Sequence, residues 1–257
     1  MCGRFAIDGS PQEVAEFLNV IDPETFPPRY NIAPTQPVLL AIAADGTQPG
    51  SNTPDRKLLL VRWGLLPSWL KDPKGFPLLI NARSETAAEK ASFRAAMRHR
   101  RALIPANGFY EWHRPADKKQ KSQAWWVRPR HGGLVAFGAL METWHGPDGS
   151  EIDTGAILTT AATASFAPIH DRMPVTIRPD DFARWLDCKT QEPKDVADLM
   201  KPPPEDFYEA IPVSDLVNKV ANTGPELQTP VTLEHKTERA TKDDTPEKSL
   251  PGQLDLL

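Results

Sequence analysis

Ala102-Leu103-Ile104-Pro105-Ala106-Asn107-Gly108-Phe109-Tyr110-Glu111-Trp112 holds two strand-like runs, Ala102 to Ile104 and Gly108 to Trp112. Three more follow at short spacing: Ala124 to Val127, Leu134 to Leu140 and Ala156 to Thr160. Such short runs of apolar and aromatic residues read as strands. Upstream, Val38 to Ala44 and Leu58 to Trp63 read the same way, joined by a polar excursion containing Gly and Pro. Repeated short strands with few long helices predict an α+β chain, not a doubly wound one. Its core is expected to be a curled, barrel-like, mostly antiparallel sheet flanked by short helices.

The helices are read from caps and periodicity. Ser10-Pro11-Gln12-Glu13 is a helix start, with Ser10 as N-cap, Pro11 at the first helical position and Glu13 closing a capping box. Val14, Phe17 and Leu18 share a face, so this helix is expected to end near Val20. A second helix is expected over Ala87 to His99, with Ala88, Ala91, Phe93 and Met97 turned inward. Arg94, Arg98, Arg100 and Arg101 gather at its far end, where cations suit the helix dipole. Pro179 to Leu186 and Lys194 to Met200 read as helices, Val175 to Ile177 and Phe207 to Val213 as strands. Lys118, Lys119 and Lys121 read as a hairpin tip. From about Thr229 the chain turns polar and poor in aromatics, a composition that signals disorder.

Composition narrows the class. A chain of 257 residues can bury one large core or two small ones. Its two cysteines, Cys2 and Cys188, form neither a CxxC nor a Cys/His cluster, which argues against a disulfide framework or structural metal. With no signal-like start and no membrane-length apolar run, a cytoplasmic chain without membrane attachment is expected. The formal charge is −4, yet Arg83 to Arg130 holds twelve Lys/Arg against four Asp/Glu. That asymmetry reads either as a basic face for nucleic acid or as a solvated surface.

The N-terminus carries the sharpest chemistry. In Met1-Cys2-Gly3-Arg4-Phe5 the second residue is small, as initiator removal requires. Without Met1, Cys2 would present an α-amine of pKa about 8 and a thiol of pKa about 8.5. Such a 1,2-aminothiol condenses with an aldehyde to a Schiff base, and the thiol then closes a thiazolidine ring. The competing reading makes Cys2 a small buried hydrophobe. Glu111, between aromatic neighbours, reads either as an acid whose pKa burial raises or as an outward-facing residue paired with a lysine. His170, in the loop bounded by Pro168 and Pro174, reads either as a proton shuttle or as a surface histidine. Asn81 reads as an orienting amide or a turn residue.

Read together, the motifs carry a resemblance. Met-Cys-Gly-Arg-Phe at 1–5, Arg-Tyr-Asn-Ile-Ala-Pro-Thr at 29–35, Trp-Gly-Leu-Leu-Pro-Ser-Trp at 63–69 and Ile-Asn-Ala-Arg-Ser-Glu-Thr at 80–86 arrive in order. Ile-Pro-Ala-Asn-Gly-Phe-Tyr-Glu-Trp at 104–112, Leu-Thr-Thr-Ala-Ala at 158–162, Ile-His-Asp-Arg-Met-Pro at 169–174 and Val-Asn-Lys-Val-Ala-Asn at 217–222 complete the series. The series resembles the SRAP family, the SOS-response-associated peptidase-like proteins that shield abasic sites, over roughly residues 2 to 228. Leu103, where some relatives have Cys, and the longer tail are mild departures.

The resemblance implies one SRAP-like domain over 1–228 and a flexible tail over 229–257. It implies that mature Cys2 crosslinks the ring-opened aldehyde of an abasic site in single-stranded DNA. It also implies autoprocessing of Met1 and a lyase-like side activity, without a cofactor or metal. Carried over at matching positions, Asn81 would orient the amine or opened sugar, Glu111 would position and deprotonate the amine, and His170 would shuttle protons. Arg4, Arg83 and Arg172 would clamp phosphates, Trp69 would stack on a base, and Asn31, Pro34 and Thr160 would line the DNA channel. The chain would act as a monomer near the nucleoid or replication fork. A second reading makes it a cysteine-type self-processing hydrolase with Cys2 as nucleophile and His170 as base, and a third a non-catalytic single-strand binding module. Gln253-Leu254-Asp255-Leu256-Leu257 resembles the short motif by which bacterial proteins dock on the sliding clamp, with Gln253, Leu254, Leu256 and Leu257 entering its pocket. Cys188 has no assigned role.

Overall fold

The computed structural model describes residues 2–21, 25–44, 55–115, 117 and 121–233. Their strands and α-helices run β1 (Phe5–Ile7), α1 (Pro11–Leu18), β2 (Arg29–Ile32), β3 (Pro37–Ala43), β4 (Arg56–Trp63), β5 (Asn81–Arg83), α2 (Arg94–His99), β6 (Arg101–Ala106) and β7 (Gly108–His113). Then come β8 (Gln123–Pro129), β9 (Val135–His145), β10 (Glu151–Ala161), β11 (Arg172–Pro174), β12 (Thr176–Ile177), α3 (Phe182–Leu186) and β13 (Tyr208–Val213). Among the described residues, no helix is long and apolar enough to cross a membrane.

Two sheets make the body. One has the order β13-β8-β7-β1-β2 and is antiparallel throughout. The other has the order β11-β10-β4-β3-β6-β9-β12, with β5 beside β10 and β9 also paired to β10. Those extra pairings curl it into a ring-like sheet that is not closed, since β3 meets β6 only at Ala41 opposite Leu103. Among the described residues the parallel pairings are those of β4 and of β5 with β10. The barrel-like, mostly antiparallel core expected from the sequence is therefore present.

Period-two alternation sorts the side chains of the five-stranded sheet. Phe5, Ile7 and Phe109 enter the main core between the sheets, while Ala6, Tyr110 and Trp126 enter a smaller cluster on the other face. Val217 and Leu227, from the 3₁₀ turns Asp215–Asn218 and Pro225–Gln228, cover that smaller cluster. In the main core Phe5 meets Trp63 edge-on at 5.1 Å and Phe109 meets Phe137 at 6.0 Å. Each such pair adds about 0.5–1.5 kcal/mol beyond area burial. At the head of β7, a Cβ on Gly108 would lie 2.3 Å from the Val127 carbonyl oxygen, so only glycine lets β8 approach.

Several expectations need correction. The capping box at Ser10 and Glu13 is formed, but α1 ends at Leu18 with Asn19 in the left-handed region. The helix expected over Ala87 to His99 is only α2, and Ala88 and Ala91 are exposed while Ala87 and Ala96 are buried. Residues 84–93 instead make separate turns, with Thr86 N–H bonded to Arg83 O, Glu89 N–H to Thr86 O and Phe93 N–H to Lys90 O. Ser84, Thr86 and Ser92 favour such turns, and Ser84 N–H is held by Thr159 O of β10. Arg101 is no exposed helix end. It opens β6 at 1% exposure and gives its guanidinium to the carbonyls of Met97, Trp185, Asp187 and Gln191. The segments expected as helices over 179–186 and 194–200 are a 3₁₀ turn leading into α3 and a 3₁₀ helix over Pro193–Met200. The short strands β1, β2 and β11 have no counterpart in the sequence expectation, while β5 falls in the stretch Leu78 to Thr86, expected to pass from a strand-like run into a helix. Lys118, Lys119, residues 45–54 between β3 and β4, and the tail from residue 234 with Gln253, Leu254, Leu256 and Leu257 lie outside the described residues.

Candidate active site

β1 is an internal strand, and that placement makes the site. Its partners are β2 and β7, with Phe5 opposite both Ile32 and Phe109. Tyr110 N–H donates to Arg4 O at 2.9 Å and Asn107 N–H to Ala6 O at 2.9 Å. These bonds lock the N-terminal residues into the sheet, and Cys2 is fully buried in the main core. Its Sγ lies 3.8 Å from Arg4 O. Burial, reinforced by the negative charge of Glu111, pushes the thiol well above its ordinary range, so it rests as the neutral thiol.

Two further strands converge on it. Asn81 opens β5 and donates from Nδ2 to Cys2 O at 2.8 Å. Its Oδ1 is buried with no hydrogen-bond partner among the described residues. Glu111 lies on β7 two residues after Phe109, on the same inward face, and is 3% exposed. The lysine-paired surface reading of Glu111 is thereby set aside. Burial raises its pKa above the usual carboxylate value. His170 Nε2 lies 3.8 Å from Glu111 Oε1.

β10 is the rail on which the parts are mounted. β5 runs parallel along it, placing Asn81 opposite Ile157 and Arg83 opposite Thr159. β11 runs antiparallel to it, placing Arg172 opposite Ala161. The turn before β11 is closed by Ile169 N–H and His170 N–H, both donating to Phe166 O. Phe166 in turn packs on Phe109 at 5.7 Å. Arg172 N–H then donates to His170 Nδ1 at 3.0 Å, while Asp171 Oδ1 also stands 3.0 Å from that nitrogen.

The residues assigned to DNA fall into different settings. Arg4 is engaged by Asn31 Oδ1 and Val217 O, each at 2.7 Å, and its guanidinium lies over the Trp112 ring. Asn31 is buried and donates to the carbonyls of Val217, Lys219 and Asn222. It binds the 217–222 segment to the site's edge. Arg172 makes a two-point pair with Glu85, at 2.6 and 2.8 Å, and donates to Thr159 O. The Nε atoms of Arg4 and Arg172 are buried and without hydrogen-bond partners among the described residues. Arg83 is exposed, Pro34 is half-buried and Thr160 is buried on β10. Trp69 is 55% exposed, with its ring edge-on to Phe76 and its Nε1 donating to Ala91 O. Cys188 stands apart, accepting Arg101 N–H at 3.4 Å.

Glu85, Thr159 and the 217–222 carbonyls are participants that the sequence reading passed over. Glu85 lies inside the quoted 80–86 motif, and its spacing from Asn81 was the available signal.

A buried cysteine just before β1, with Asn81 bonded to its carbonyl and its thiol under the charge of Glu111, itself 3.8 Å from His170, is a specific arrangement. Residues 1–220 match the family model for SOS response associated peptidase, SRAP. The chain belongs to the SRAP family. Among its relatives, the abasic site processing protein YoqW of Bacillus subtilis is 40% identical over 230 residues, covering 88% of this chain and 98% of the relative. The abasic site processing protein YedK of Escherichia coli is 33% identical over 242 residues, covering 90% and 100%. The abasic site processing protein HMCES of Xenopus tropicalis is 30% identical over 275 residues, covering 92% and 80%. A crystal structure of a Bacteroides thetaiotaomicron protein superposes with a TM-score of 0.74 at 19% identity, over 90% of this chain and all of that one, which shows a shared fold. The SRAP fold is thus common to chains of low identity.

Proposed function

We propose that this SRAP protein processes abasic sites by covalent capture: mature Cys2 crosslinks the ring-opened aldehyde of an abasic site in single-stranded DNA. The observation that carries the reading is the Asn81 bond to the Cys2 carbonyl at 2.8 Å, with Glu111 acting on the Cys2 thiol and His170 Nε2 3.8 Å from Glu111. The names of its relatives as abasic site processing proteins support the same substrate.

Removal of Met1 hydrolyses the Met1–Cys2 peptide bond and frees the Cys2 amine, a step this reading assigns to the site itself. The amine loses a proton to Glu111, a carboxylate whose pKa burial raises. It attacks the aldehyde carbon, and the resulting carbinolamine loses water after His170 protonates its hydroxyl. The Cys2 thiol then adds to the iminium carbon, forming the C–S bond and releasing its proton. Aldehyde plus aminothiol becomes thiazolidine plus water. The order follows from burial: a thiol held neutral waits until the iminium provides an electrophile. Ring closure removes the iminium that would drive β-elimination, so strand cleavage is a side reaction. Asn81 Oδ1 is the free acceptor available to the new amine.

The same reading places the DNA against Arg4, Asn31, Pro34, Trp69, Arg83, Thr160 and Arg172, with the chain acting as a monomer. The residues from 229 onward would serve as a tether whose Gln253, Leu254, Leu256 and Leu257 dock the sliding clamp, tested by clamp affinity after their deletion. The self-processing hydrolase reading requires an accessible Cys2 thiolate, which the buried thiol does not favour. The deciding experiment incubates protein of verified mature N-terminus with single-stranded DNA holding one abasic site. A denaturant-stable adduct is expected, absent with Cys2→Ser and with one residue retained before Cys2. No adduct with the mature protein would sink the reading.

A further inference from the structure

His170 Nδ1 faces two incompatible partners. The backbone N–H of Arg172 donates to it at 3.0 Å, which requires a bare Nδ1 and puts the proton of the neutral ring on Nε2, toward Glu111. The Asp171 carboxylate, also at 3.0 Å, favours the opposite tautomer, with the proton on Nδ1. Which partner prevails decides whether a neutral His170 has a proton to give on its inner side.

Arg172 is held from its other end. Its guanidinium is gripped at two points by Glu85, at 2.6 and 2.8 Å, and by Thr159 O. Two-point arginine–carboxylate pairs fix geometry as well as energy. The Arg172 hydrogen bonds also hold the Glu85 carboxyl below its ordinary pKa, so the grip persists at neutral pH. Glu85 itself sits four residues after Asn81, in the turn anchored to β10 by Ser84 N–H on Thr159 O. The pair therefore bridges the Asn81 side and the His170 side of the site.

We propose that Glu85 is a positioning residue: by fixing Arg172 it keeps the Arg172 N–H on His170 Nδ1 and so sets the inward-facing Nε2–H tautomer. Its part in crosslinking rests on the function proposed above, but the tautomer itself does not. Loss of Glu85 leaves the Arg172 guanidinium to Thr159 alone, the loosened N–H shifts from Nδ1, and Asp171 draws the proton outward. A neutral His170 then points a bare Nε2 at Glu111 and has nothing to deliver to a leaving hydroxyl.

The test has two arms on mature full-length protein. Nitrogen-15 NMR of the DNA-free protein, with His170 assigned through His170→Ala, reads the tautomer directly. Wild type is expected as Nε2–H, and both Glu85→Ala and the volume-preserving Glu85→Gln as mixtures enriched in Nδ1–H. An unchanged tautomer in folded Glu85→Gln overturns the proposal, whatever the DNA chemistry proves to be. In the second arm the crosslinking rate at saturating abasic single strand is expected to fall about 10–100-fold, less than the ~10²–10⁴ lost with a general acid. Glu85→Asp is expected to restore part of both readouts. A rate unchanged in Glu85→Gln while wild type crosslinks overturns the catalytic half alone. Failure of wild type to crosslink refutes the proposed function and leaves the NMR result standing.

Discussion

Asn81 donates from Nδ2 to the carbonyl oxygen of Cys2 across 2.8 Å, joining β5 to the first described residue of the chain. That bond helps to fix the Cys2 backbone, which lies before β1. Asn81→Ala leaves a buried carbonyl unpaired, at a cost of about 1–3 kcal/mol. The crosslinking rate is expected to drop by at least the share of that energy lost from alignment, about tenfold per 1.4 kcal/mol. Adduct time courses on denaturing gels measure it. Wild-type kinetics in Asn81→Ala would mean that the sheet alone positions Cys2.

Glu111 makes activity and stability oppose each other. Its pKa is raised in the fold by burial, so the folded state favours its protonated form. The stability it contributes is present below the ordinary carboxylate pKa and is lost as pH rises through the raised one. Glu111→Gln removes that titration. Relative to wild type, the variant should gain melting temperature as pH climbs above the ordinary carboxylate pKa of about 4.3, with the difference shrinking below it. It should also lose crosslinking. A melting difference that is flat with pH would place the Glu111 charge in compensated surroundings.

The strands of the body were legible because they alternate or run apolar, and the ring-like sheet follows from their number and shortness. β1, β2 and β11 were not, since three or four residues carry no period of their own and become strands only through a neighbour's edge. Cys2, Asn81, Glu111 and His170 were named from motifs far apart in sequence, and the fold sets Asn81 on β5 along β10, Glu111 on β7 and His170 in the turn before β11. Arg101 misled for a physical reason. Placed after a run of arginines, it reads as surface charge, and nothing local tells that four carbonyls await it.

That clasp yields a stability prediction remote from the chemistry. Arg101 ties the ends of α2 and α3 and the turn after α3 to the head of β6. Arg101→Met is expected to destabilise by about 3–5 kcal/mol, the scale of stranding buried polar partners. Arg101→Lys should rescue little, because one ammonium does not reproduce a planar fork. Urea unfolding gives the number. A loss below about 1 kcal/mol would mean that the carbonyls find water instead.

Salt dependence is expected to separate arginines proposed to touch DNA from those that shape the site. Arg83 is exposed and beside Asn81's strand neighbours, so its removal should leave the fold intact. Each phosphate neutralised on a single strand contributes about −0.7 to the slope of log affinity against log salt. With undamaged single-stranded DNA, which excludes the covalent step, Arg83→Ala is expected to flatten the slope by about that amount. Arg184→Ala serves as the control, since Arg184 is paired with Asp198 on α3's exposed side. Fluorescence anisotropy across a salt series reads both. Equal slopes for wild type and Arg83→Ala would remove Arg83 from the DNA path and leave its charge a solvated one.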